Sequence, residues 1–226
     1  MRFYNTSHQY YCGIDLHTKM MYVCILNDEG DICLHQNIPT QAHRFLKLIA
    51  PYRDDIVVGV ECIFSWYWLA DLCQAEGIPF ILGHALYMKA IHGGKAKNDK
   101  IDSEKIAKLI RGGTFPLAYV YPSEMRATRD LLRRRNYFVH RRAELQAHIK
   151  LTNFQYNLPS LNLKLERRSN RNELAERFHD SSVRKNVEAD IHLMDSMEDE
   201  IKGLEAYIVR HAKGHDPRTY FRLQTV

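Results

Sequence analysis

The sequence predicts an α/β protein, a mixed β-sheet flanked by helices, followed by a helical region with coiled-coil spacing. Three observations predict it. Short apolar runs alternate with helix-like stretches through the first half of the chain. Two of those runs end in an acid, at Asp15 and at Glu61. From Ser123 onward glycines become scarce and apolar residues recur at helical spacing.

In chain order, Tyr10 to Leu16 and Met20 to Leu26 are apolar runs of strand length, and Asn27-Asp28-Glu29-Gly30 is a turn signal before a third run, Asp31 to Ile38. Tight connections make these three an antiparallel meander. Phe45, Leu46, Leu48 and Ile49 then share one side of a helix. Ile56-Val57-Val58-Gly59-Val60 is continuously apolar, as a strand covered on both faces must be. Trp66 to Ala75 reads as a helix, stopped by Gly77-Ile78-Pro79 before a last strand, Phe80 to Leu82. Another helix begins near Asn98. Beyond Ser123, Leu131, Phe138 and Leu145 recur every seventh residue, a narrow stripe suited to a partner helix. Asn157 to Ser182 is polar, carries Pro159, and reads as a loop or a loosely packed insertion. A second stripe follows through Val183, Val187, Ile191, Met194, Ile201, Leu204 and Ile208. The two stripes predict either an antiparallel hairpin or pairing between subunits.

Of 226 residues, 45% are hydrophobic and 26% charged, as in ordinary globular proteins. No stretch approaches the roughly 18 apolar residues of a membrane span, and Met1 to Tyr11 lacks the apolar core of a signal peptide. Five cysteines without C-x-x-C spacing predict free thiols in a reducing cytoplasm. A zinc site pairing Cys62 or Cys73 with His84 or His92 has no spacing to recommend it. The net charge of +5 is too mild to identify a polyanionic partner, so its distribution decides.

The candidate chemistry lies in four acids. Asp15 ends the first apolar run and Glu61 ends the Ile56 run; taken singly, each is as well explained as a strand end meeting water. In Lys97-Asn98-Asp99-Lys100-Ile101-Asp102-Ser103, a helix at about 100° per residue puts Asp99 and Asp102 on the stripe of Ile106, Leu109 and Ile110. Capping explains Asp99 alone well enough, and Asp102 less well. Carboxylates gathered at one rim repel unless cations neutralise them, and hard oxygen ligands suit Mg²⁺ or Mn²⁺. Two such ions about 4 Å apart drive in-line phosphodiester displacement.

At these residues the sequence resembles the DEDD-type insertion-sequence transposases, relatives of the Piv site-specific invertases. Their amino-terminal domain is similar to the resolvase RuvC. Gly13-Ile14-Asp15-Leu16-His17-Thr18-Lys19 matches the opening motif, and Gly59-Val60-Glu61 with Trp66-Tyr67-Trp68-Leu69-Ala70 the second. Lys97 to Ser103 is similar to K-T-D-x-x-D-A, with Asn for Thr and Ser for Ala and both acids kept. Leu109 to Gly113 and Met125 to Arg133 extend the likeness.

The resemblance implies an RNase H-like (RuvC-like) fold over 1–122 and a metal site of Asp15, Glu61, Asp99 and Asp102. It also implies a basic helical, coiled-coil region over 123–215, and 216–226 as the start of a carboxy-terminal domain that supplies a nucleophilic serine. No serine here matches that nucleophile, so the expectation is a truncated or degenerate copy, incomplete for strand exchange. The resemblance further implies DNA and a guide (bridge) RNA as partners, and a homodimer or tetramer.

Between Arg126 and Lys150, seven arginines (Arg126, Arg129, Arg133, Arg134, Arg135, Arg141, Arg142) and one lysine face only Asp130 and Glu144, a net +6. Solvated helix faces usually mix signs, so a one-sided cluster favours phosphate contacts. Lys97 and Lys100 extend the candidate nucleic-acid surface beside the acids. Rival readings are a two-metal structure-specific nuclease and a nucleic-acid-binding module with a vestigial site. A sugar-kinase or actin-like ATPase would need a glycine-bearing phosphate loop, and Leu16-His17-Thr18-Lys19 has no glycine.

Overall fold

The computed structural model describes residues 1–91, 98–161 and 164–224. They form two compact units, divided between Ser123 and Glu124.

The first unit holds seven strands: β1 (Phe3–Tyr4), β2 (Tyr10–Leu16), β3 (Met20–Asn27), β4 (Ile32–Pro39), β5 (Ile56–Glu61), β6 (Phe80–Gly83) and β7 (Phe115–Ala118). They join one sheet in the order β1-β7-β6-β5-β2-β3-β4. The β2–β3–β4 meander is antiparallel, while β5 pairs parallel with both β2 and β6. The meander turns tightly because the Asn27 Oδ1 accepts from Gly30 N at 2.8 Å and Asp31 N at 2.7 Å, with Gly30 at a positive φ of 97°. Short β1 and β7 lie beyond the five expected strands. A meander continued by parallel strands and covered by helices is an RNase H-like α/β architecture.

Strand alternation divides the core. Cys12, Ile14, Val58, Val60 and Leu82 point to the side of α1 (Ala42–Ile49) and α2 (Tyr67–Ala75), where Phe45, Ile49, Leu69 and Cys73 meet them. Tyr11, Val57 and Ile81 point to the other side, against Met88 of α3 (Ala85–Ile91) and Ile106, Leu109 and Ile110 of α4 (Asp99–Arg111). That second face carries glycine where α4 crosses it. A Cβ on Gly13 would lie 2.3 Å from both Ala107 N and Ser103 O, and one on Gly59 would lie 2.4 Å from Ile110 Cδ1. The missing side chains let α4 lie directly on the central strands.

The second unit is helical: α5 (Ser123–Gln155), α6 (Ser181–His215) and α7 (Pro217–Leu223). Arg135 meets Glu205, and His148 meets Asp190 at 2.5 Å, so α5 and α6 run antiparallel. Within the chain the two helices therefore form an antiparallel hairpin. Val187, Met194 and Ile201 are its buried stripe on α6, with Ile149 opposite on α5. The polar stretch between the helices departs from expectation. Leu165, Leu174, Ala175 and Phe178 are buried in the hairpin's own core, because Arg171 anchors the segment to α6 through Asp195 and Glu198. No helix among the described residues is long and apolar enough to cross a membrane.

Candidate metal centre and nucleic-acid face

Asp15 is the next-to-last residue of β2 and Glu61 the last of β5. The parallel register runs to Gly13↔Gly59 and Ile14↔Val60, so the two acids follow at neighbouring positions of adjacent strands. By alternation both share the side of Gly13 and Gly59, the face that α4 covers. The helix runs opposite to β2: Ser103 and Ala107 lie over Gly13, and its first turn therefore reaches the strand ends. Asn98 caps that turn, its Oδ1 accepting from Lys100 N at 3.1 Å, which relieves Asp99 of the capping role.

The tight grouping is Asp15, His17 and Asp99, each with one ligand atom, all within 4.8 Å of one another. The His17 Nε2 lies 3.3 Å from an Asp15 oxygen and 3.7 Å from an Asp99 oxygen. Glu61 and Asp102 are not members of this grouping. Asp102 lies one turn beyond Asp99, where Lys105 meets it at 3.2 Å. Asp99 departs from the core-facing position expected of it: its side chain is 61% exposed at the rim, and the buried stripe of α4 begins at Ser103.

Asp15 is the more enclosed acid, with a side chain 20% exposed. Burial pushes its carboxyl pKa above the usual range, the negative charges of Asp99 and Asp102 push the same way, and His17 opposes them. Asp15 therefore feels both other acids, and among the described residues the ring of His17 is the side chain that reaches both Asp15 and Asp99. Two carboxylates and an imidazole within reach of a common point fit a divalent cation. His17 is not among the candidate site residues that the sequence singles out, although strand-like alternation from Asp15 to His17 is a signal that points to it.

Lys97 lies outside the described residues, and Lys100 is exposed. The arginines of α5 divide. Arg126 is buried, which removes it from any exposed phosphate-binding face. Arg135 is committed to Glu205 at 2.7 Å, and Arg141 to Glu144 at 2.5 Å. Arg129 reaches Asp130 at 3.5 Å. Arg133 and Arg134 are exposed and Arg142 is half-buried. Arg134 and Arg141 stack over the exposed Tyr137 ring at 5.5 and 5.3 Å.

No curated protein matches the chain. A family model of the IS110-type DEDD transposases matches residues 12–153, from within β2 to near the end of α5. That span covers well over half of the chain, including all four acids and every arginine of the basic helix. The chain belongs to the IS110-type DEDD transposase family.

Proposed function

We propose that this chain carries the metal-dependent DNA-cleaving centre of a transposase that acts as a site-specific, RNA-guided recombinase. In this reading Asp15, Glu61, Asp99 and Asp102 hold Mg²⁺ or Mn²⁺. The observation that carries it is the meeting of Asp15 and Asp99 with His17 at the rim, from a strand and a helix far apart in sequence. Divalent ions bound there would supply Lewis acidity to the scissile phosphate and to the attacking and leaving oxygens. The protein's part is to bind and to orient. Asp15 is held by the β2 ladder, Asp99 and Asp102 by the first turn of α4, and Glu61 by the neighbouring strand. Lys105 restrains Asp102 through its 3.2 Å ion pair.

The exposed arginines of α5 support nucleic-acid binding, through phosphate contacts from Arg133 and Arg134 and base stacking at Tyr137. The guide RNA, the dimers or tetramers and the serine of a further domain rest on the family resemblance and belong to the same proposal.

The test is to incubate the full chain with branched DNA and Mn²⁺ or Mg²⁺. Metal-dependent strand cleavage, reduced at least about a thousandfold by Asp15→Asn or Asp99→Asn, is expected. Equal DNA binding by wild type and an Asp15→Ala, Asp102→Ala variant, with no Mn²⁺ uptake by either, would overturn the reading and leave a binding module.

A further inference from the structure

We propose that His17 is a ligand of the cation held by Asp15 and Asp99, making this position a mixed nitrogen–oxygen pocket. The inference rests on reading the acids as a metal centre and goes beyond it by naming a nitrogen donor.

Distance supports it first. Ligand atoms at right angles around an ion about 2.1 Å away stand about 3.0 Å apart, and opposite ones about 4.2 Å apart. The His17 Nε2 stands 3.3 Å from Asp15 and 3.7 Å from Asp99, so small side-chain adjustments bring all three onto one ion.

The backbone supports it next. The turn that carries His17 is tied down on several sides. Its N–H donates to Met20 O at 3.1 Å, its carbonyl accepts from Thr40 Oγ1 at 2.9 Å, and the Leu16 carbonyl accepts from Ser65 Oγ at 3.2 Å. The ring therefore hangs from a fixed point at the rim, while remaining 54% exposed and contributing little to the core.

Charge supports it last. Lys105 attends Asp102, yet among the described residues no lysine or arginine forms an ion pair with Asp15 or Asp99, and His17 is the side chain that reaches both. An imidazole in the ligand set shifts preference away from Mg²⁺ toward transition-metal ions, of which Mn²⁺ is the one that also suits the two carboxylates.

The experiment is Mn²⁺ titration of the full chain by electron paramagnetic resonance, with pulsed detection of nitrogen coupled to the bound ion. Wild type is expected to show the nitrogen coupling. His17→Ala is expected to lose it and to bind Mn²⁺ at least about tenfold more weakly, with a smaller loss for Mg²⁺ measured by competition. His17→Gln, which keeps an oxygen donor, is expected to recover part of the affinity without the nitrogen signal. If wild type binds Mn²⁺ with no nitrogen coupling, or His17→Ala binds as tightly or more tightly, the ring merely stands in for the cation. The proposal then falls while the acid centre survives. If Asp15→Asn takes up Mn²⁺ as well as wild type does, the acid centre itself fails and this proposal fails with it.

Discussion

The acid rim of the sheet unit and the Arg171 node of the helical unit both gather charged side chains, yet they are built by opposite rules. Arg171 is 2% exposed and its donors are used: Nε to Leu165 O at 2.7 Å, Nη2 to Glu166 O at 3.0 Å and to Glu198 at 2.8 Å, and Nη1 to Asp195. Arg168 adds a second ion pair to Asp195 at 3.3 Å, and Lys202 one to Glu198 at 2.7 Å. The Glu198 carboxyl is held below its usual range by Lys202 foremost and by Arg171. At the rim the direction is reversed, since Asp15 is pushed up by burial and by two neighbouring carboxylates. A charge placed to hold a fold together arrives with its partners. A charge whose neighbours are of its own sign costs stability, and that cost has a use where a ligand cation completes the set.

The largest effect is expected at Arg171. Arg171→Leu leaves Asp195 and Glu198 without their shared cation and strips the hydrogen bonds from two carbonyls. A loss of about 3–5 kcal/mol is expected in chemical denaturation of the helical unit. An unchanged midpoint would mean that the node is ornamental. Next in size is Gly13→Ala. Its new Cβ meets helix backbone at 2.3 Å, which no side-chain rotation relieves, so α4 must lift from β2. The expected cost is about 1–3 kcal/mol, accompanied by loss of Mn²⁺ uptake because Asp99 travels with the helix. Retained uptake would show that Asp15 and Asp99 need not be held in their present relation.

These two residues also mark what was legible in the sequence. The central strands could be read because Val57, Val58 and Val60 are buried on both faces and so form an unbroken apolar run. The meander could be read from its turn chemistry at Asn27 and Gly30. The two short strands at the β1 end of the sheet could not: β1 has two residues, and β7 carries Pro116, which punctuates where a strand signal would need continuity. Asp15, Asp99 and Asp102 were legible as site candidates, whereas His17 stood in the opening motif with only its alternation with Asp15 to mark it, because its meaning lies in its approach to a helix much later in the chain. Arg171 was illegible for the same reason. One arginine among four in a polar stretch reads as surface, and only Asp195 and Glu198, 24 and 27 residues further on, make it a core residue.

A smaller effect is expected within α5, where committed and uncommitted arginines are neighbours. Arg133 and Arg134 are exposed and have no carboxylate partner among the described residues, whereas Arg135 is bound to Glu205. Neutralising Arg133 or Arg134 to Gln should flatten the dependence of log affinity on log salt by about 0.7–0.9 for each phosphate that the variant no longer neutralises. Arg135→Gln should leave that slope nearly unchanged. Equal slopes for all three variants would show that the Glu205 pairing does not withhold Arg135 from nucleic acid.

The smallest effect is the most direct reading of the rim. Because Asp15 has a raised pKa in the folded state, protonation favours folding, and the benefit is complete below its unfolded value near 3.8. As pH rises through the folded value the carboxylate ionises beside Asp99 and Asp102, and that stability disappears. Asp15→Asn removes the charge with little change of shape. At pH 7 without divalent metal it should melt higher than wild type, by no more than about 4 °C, the shift that 1 kcal/mol produces in a chain of this size. The gap should close as pH falls toward 4. Saturating Mn²⁺ should reverse the order, because wild type gains the binding energy and the variant does not. A wild type that outmelts Asp15→Asn in metal-free buffer at pH 7 would place Asp15 with Arg171 among the charges that hold the fold, and the contrast between the two clusters would fail.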